Sequence, residues 1–157
     1  MDIAYYKELY SNEDIRTMQL SAKALLPGKN RIEEIVQYAK NAGIRRIGIA
    51  NCISLQKEAN TLTERLQKDF EVFSVNCRIG KVPSSELIDS DAKGLSCNPA
   101  GQADFLASQQ TEINIAVGLC IGHDLIFSEK SAVPVTTLIV KDREHKHNPL
   151  KELEENI

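Results

Sequence analysis

Four cysteines, Cys52, Cys77, Cys97 and Cys120, are the residues of this chain best suited to chemistry. A thiolate is a nucleophile, a reductant and a soft metal ligand, so what matters is where the chain carries each one. Cys97 and Cys120 lie in one stretch, residues 96–124, which also holds Gly122-His123-Asp124. Asn98-Pro99 reads as a helix entry, which puts Cys97 at a helix start, where the thiolate is favoured. The apolar run 113–119 reads as a strand that delivers Cys120 into a glycine-bearing turn. His123, with Asp124 as an orienting carboxylate, is a candidate acid or base, and His147 is another. Lys141, Asp142 and Arg143, with Asn98, are the candidate substrate-binding residues; the two cations suit an anionic group.

These residues need elements to position them. Apolar spacings of three and four predict helices over 5–26, 31–41, 54–68, 99–109 and 124–131, and a polar last helix over 150–156. Ser11 or Asn12 is a cap for the first and Asn30 for the second; Gly43 stands where a helix-ending glycine belongs. Short apolar runs predict strands over 44–50, 71–76, 113–119 and 135–140. Such alternation implies an α/β fold, an open three-layer sandwich with a mainly parallel sheet of about four strands, order 2-1-3-4, plus N-terminal helices, in a single domain over 1–157. Residues 78–96 lack periodicity, as a lid or binding loop would.

In that topology Cys52 follows the first strand, Cys77 ends the second and Cys120 follows the third. All three lie at carboxyl ends of strands, beside the switch point where open α/β sheets bind ligands. The helix start at Cys97 points to the same edge. Convergence of four thiols implies a metal centre with Cys52, Cys77, Cys97 and Cys120 as ligands. Four thiolates close a zinc site, whereas a row of strand ends suits the larger iron–sulfur cluster, the favoured cofactor. Two alternatives stand beside it. One is a metal-free thiol enzyme with Cys97 or Cys120 as nucleophile and His123 as base. The other is a small-anion-binding regulatory module with 78–96 as lid. The plainer reading of any one cysteine is a small buried hydrophobe.

The composition narrows the partners. A net charge of −3 gives no general pull toward nucleic acid or anionic membranes, and 5% aromatics with no Trp offers few stacking platforms. No apolar run approaches the roughly 20 residues that span a bilayer, and the N-terminus does not read as a signal peptide. A cytoplasmic protein acting on a small molecule is the expectation, with a homo-oligomer compatible. In a reducing cytosol the cysteines are expected free, metal-bound or catalytic. No glycine-rich phosphate loop and no G-x-S-x-G elbow is present.

Several short motifs carry a resemblance: Ile47-Gly-Ile-Ala50 with Cys52, Val75-Asn-Cys77-Arg78-Ile79-Gly80, Cys97-Asn-Pro99, Gln102-Ala103, Val117-Gly-Leu-Cys-Ile-Gly-His-Asp124, Lys141-Asp-Arg143 and His147-Asn-Pro149. With these the chain resembles the family catalogued as domain of unknown function 1847, whose members are often labelled predicted metal-binding proteins. The resemblance implies that the four cysteines, His123, Asp124, the Lys-Asp-Arg run and His147 belong to the family pattern. Many members look as though they carry a further cysteine-rich segment ahead of the first helix, which this chain is expected to lack. A metal would then rest on the four core cysteines.

Overall fold

A computed structural model describes residues 2–154. The chain divides into two compact units, one ending at Ile44 and the other beginning at Arg45. The first holds three helices, α1 (Ile3–Glu8), α2 (Asn12–Ala24) and α3 (Arg31–Ala42). The single helix expected over 5–26 is two, because Ser11 is an extended residue (φ −69°, ψ 166°) that caps the second. Ser11 and Asp14 satisfy each other's backbone amides in a capping box, and Asn30 with Glu33 does the same for α3. Gly43 ends α3 in the left-handed conformation, φ 74°.

The second unit begins with β1 (Arg46–Asn51). A 3-10 turn from Ile53 to Leu55 leads into α4 (Gln56–Leu66), then β2 (Glu71–Asn76). After the 78–96 segment come α6 (Pro99–Ser108), β3 (Ile113–Val117), α7 (His123–Lys130) and β4 (Val135–Ile139). A short α8 runs Leu150–Glu154; the expected continuation to Asn156 lies outside the described residues. Every strand pair is parallel and the order is β2-β1-β3-β4, the topology implied by alternating helices and short apolar strands.

Alternation along the strands assigns their faces. Ala50 and Ala116 join Ala103, Leu106, Leu119 and Phe127 in a buried cluster that seats α6 and α7. Gly48 lies on that face, and a Cβ there would collide with the Asn114 side chain and crowd Leu106. Asn114 is itself buried, accepting from the Thr111 hydroxyl (2.9 Å) and donating to Ser131 Oγ (2.9 Å). Ile47, Ile49 and Ile115 project from the opposite face and are fully buried.

The 78–96 segment has structure of its own. It holds a 3-10 turn (Ile79–Lys81) and one helical turn, α5 (Ser84–Leu87). A bridge between Pro83 and Leu95 draws it together, with Ser96 N donating to Val82 O at 2.8 Å. Among the described residues no helix is long and apolar enough to cross a membrane.

Candidate thiol site

The sheet register sets the level at which each strand ends. Asn51 pairs with Asn76 and with Val117, and Val117 pairs with Ile139. The residues after these positions therefore leave the sheet at one edge: Cys52 after β1, Cys77 after β2, Cys120 after β3 and Lys141 after β4. Backbone bonds prolong the ladder by one step, from Cys52 N to Val117 O (3.1 Å) and from Cys77 N to Asn51 O (2.9 Å). Gly118 turns the chain away from β3 at φ 62°, passing so close to Leu55 that a side chain at this position would strike it.

Cys52 is buried, with 8% of its surface exposed. Its sulfur accepts from Ser54 Oγ at 3.3 Å and faces Lys141 Nζ at 3.6 Å. Lys141 Nζ also donates to Ser54 Oγ, so the three groups form a closed set. Burial by itself opposes ionisation of this thiol. The hydroxyl and amide of Ser54 and the Lys141 ammonium more than offset it, and the thiol titrates below its ordinary value. At Cys77, 2% exposed, the balance is reversed. Burial pushes its thiol up to about 12; the Ile53 amide opposes this, and the Cys97 and Cys52 thiols add to it. Cys77 Sγ lies 3.4 Å from Ile53 N and 3.4 Å from Cys97 Sγ. Cys97 is half-buried, as is Cys120, whose sulfur accepts from Arg143 Nη2 at 3.1 Å.

A frame of side-chain amides holds this edge. Gln102 reaches from α6 and donates to Asn51 O (3.1 Å) and Val75 O (2.9 Å), spanning β1 and β2. Gln56 Oε1 accepts from Asn51 Nδ2 (3.3 Å) and Asn76 Nδ2 (3.1 Å). Asn51 and Gln102 are fully buried, and Asn51 Oδ1 and Gln102 Oε1 lack hydrogen-bond partners. Sequence reasoning gave Ser54, Gln56 and Asn51 no role at the site. The available signal was a polar residue where the pattern demands an apolar one: Asn51 closes an apolar strand, and Gln102 lies beside Ala103 on the buried side of α6.

The four-cysteine metal centre is not borne out. Among the described residues no group of three or more His, Cys, Asp or Glu side chains is placed to hold a metal ion. The physical reason lies in the partners: Cys52 turns to Lys141 and Ser54, Cys120 turns to Arg143, and only Cys77 and Cys97 face each other. A cation beside a thiol takes the place a metal would need. Neither an iron–sulfur cluster nor zinc fits Cys52, Cys77, Cys97 and Cys120 in this arrangement, and the metal-binding implication of the resemblance falls with it.

The Cys–His alternative fares no better. Neither Cys97 nor Cys120 is hydrogen-bonded to His123, whose own amide donates to Cys120 O at 2.9 Å. The two cations of the expected anion module both face thiols, Lys141 the Cys52 sulfur and Arg143 the Cys120 sulfur. Asp124 accepts from the amide of Leu125 (2.8 Å). Asp142 organises a turn: it accepts from Glu144 N and His145 N, and pairs with His145 Nδ1 at 3.3 Å. Those bonds, the His145 amide foremost, hold its carboxyl below the usual range. His147 Nδ1 accepts from Asp142 N (3.2 Å). Asn98 caps α6, accepting from Gly101 N at 2.8 Å.

Comparison with known proteins bears on the same residues. The profile of the family described as "Protein of unknown function (DUF1847)" matches residues 2–138. The chain belongs to this family. An uncharacterised protein of Methanocaldococcus jannaschii is 40% identical over 149 residues, covering 90% of this chain and 77% of that protein. No solved structure matches. The DUF1847 match spans Cys52, Cys77, Cys97 and Cys120 and ends at residue 138, ahead of Lys141 and Arg143.

Proposed function

We propose that this DUF1847 protein is a thiol-dependent enzyme in which Cys52, its thiol disposed to ionise by its neighbours, attacks a small soft electrophile. The observation that supports this reading is the closed set of Cys52, Ser54 and Lys141 at the carboxyl edge of β1. No histidine base is required, because the lysine and serine favour the ionised sulfur before the substrate arrives. In the covalent step the sulfur forms a bond to the electrophilic carbon, and the leaving group departs with the bonding electrons. Lys141 loses its anionic partner at that moment, and its charge is then available to the departing group. Arg143, exposed on the segment that carries Lys141, suits an acidic group on the substrate. Chemistry on free thiols belongs in a reducing compartment, and the cytoplasm is the location this reading assigns.

The test is the rate of alkylation by iodoacetamide, resolved by cysteine through peptide mass mapping. Cys52 is expected to react at neutral pH with an apparent pKa below that of an ordinary thiol. In Lys141→Met the neutral-pH rate falls, because loss of the ammonium lowers the thiolate fraction. Labelling of Cys52 with an unshifted pKa, or a rate unchanged in Lys141→Met, overturns the proposal.

A further inference from the structure

The sulfur atoms of Cys77 and Cys97 lie 3.4 Å apart. The approach is fixed by the backbone: Asn98 N donates to Cys77 O at 2.8 Å, bringing the chain on either side of the 78–96 segment into register. Asn98 also caps α6 and donates to Ile79 O at 3.2 Å, so the entry to the helix and the exit from β2 are one hydrogen-bonded assembly. Closing the sulfurs to the roughly 2.05 Å of a disulfide asks them to approach by about 1.4 Å. The two thiols also differ in access. Cys97 is half-buried, whereas Cys77 is 2% exposed.

We propose that Cys97 and Cys77 form a two-electron redox site that exchanges with low-molecular-weight disulfides, Cys97 meeting the oxidant and Cys77 completing the intramolecular bond. The reaction balances in two steps. Cys97 gives its proton to water and the resulting thiolate attacks one sulfur of the oxidant; the oxidant's S–S bond breaks, and one thiolate leaves and takes a proton from water. Cys77 gives its proton to water and attacks the Cys97 sulfur, forming the Cys77–Cys97 bond and expelling the second thiolate, which is protonated in turn. Two protein thiols become one disulfide while one external disulfide becomes two thiols. The first step also prepares the second. Cys97 is among the groups that hold the Cys77 thiol up, and a Cys97 sulfur in a mixed disulfide carries no charge. This site stands apart from the Cys52 reading, since neither step uses Cys52, Ser54 or Lys141.

The experiment treats the full chain, reduced and then freed of reductant, with oxidised glutathione. Free thiols are counted under denaturing conditions and linkages are mapped by peptide mass. The four free thiols are expected to fall to two, with Cys77 joined to Cys97 and no glutathione retained on either; dithiothreitol restores all four. Cys52→Ser forms the same bond, which separates this proposal from the fate of the Cys52 reading. Cys77→Ser is expected to trap glutathione on Cys97. A chain that keeps its four thiols overturns the proposal, as does glutathione that stays on Cys97 of the unsubstituted protein, or a bond joining any other pair. Because the linkage is mapped on the unsubstituted chain, the proposal stands or falls even where a variant does not fold.

Discussion

Lys141 and Ser54 act on Cys52 in different ways, and substitution separates them. The lysine contributes a charge, which salt screens, and the serine a hydrogen bond, which salt barely touches. Ser54→Ala removes the hydroxyl and leaves the ammonium facing the sulfur. The alkylation pKa of Cys52 is expected to rise in both Ser54→Ala and Lys141→Met. Only in the variant that keeps Lys141 does it continue to rise with added salt. Alkylation profiles at low and high ionic strength check this, and the same salt response in both variants would refute it. Cys120 has one cationic partner, Arg143, on an exposed side chain, so Arg143→Met is expected to alter labelling of Cys120 and leave that of Cys52 unchanged.

At the scale of elements, the site depends on β1 and β2 ending together under α6. Gln102 ties the two strand ends, and its amide nitrogen is the donor to both carbonyls. Gln102→Leu keeps much of the bulk and removes that donor. It is expected to cost about 1–3 kcal/mol, the penalty for leaving buried polar groups unpaired. Urea unfolding measures the loss, and a midpoint equal to that of the unsubstituted chain would show that the tie carries no stability. Gly48 tests the packing of the same face, nearer the start of β1. Gly48→Ala drives a methyl into Asn114 and is expected to cost about 1–3 kcal/mol through overpacking.

These elements also show what the sequence could disclose. The strands, their order and the caps at Asn30, Asn98 and Gly43 were legible, because periodicity and capping are local signals. That Cys52, Cys77 and Cys120 leave the sheet at one edge followed from topology. Their partners did not follow, since these are set by side-chain direction at the end of a turn. Lys141 and Arg143 read as an anion-binding pair and turned out to face Cys52 and Cys120. The amides at Asn51, Gln56 and Asn76 were invisible because each is ordinary in type and meets the others only once β1, β2 and α4 are assembled.

For the whole molecule, Cys52 and Cys77 pull the pH dependence of stability in opposite directions. The Cys77 thiol is raised to about 12 in the folded chain, against about 8.5 for a free cysteine. Below 8.5 the thiol is protonated whether the chain is folded or not, and its contribution is fully present. Between there and 12 the unfolded chain releases this proton while the folded chain keeps it, so stability falls as pH rises, at up to about 1.4 kcal/mol per pH unit. Cys52 has the opposite sign. Its folded pKa is lowered, so its contribution is complete above the free-thiol value and is lost as pH falls through the folded one. The expected outcome is a urea midpoint that declines on the alkaline side, with Cys77→Ala flattening the decline and Cys52→Ala leaving it in place. A decline of equal steepness in Cys77→Ala would place its origin elsewhere in the chain. Oxidation gives an independent check, because a Cys77–Cys97 bond removes the titrating thiol and should flatten the same limb in the unsubstituted protein.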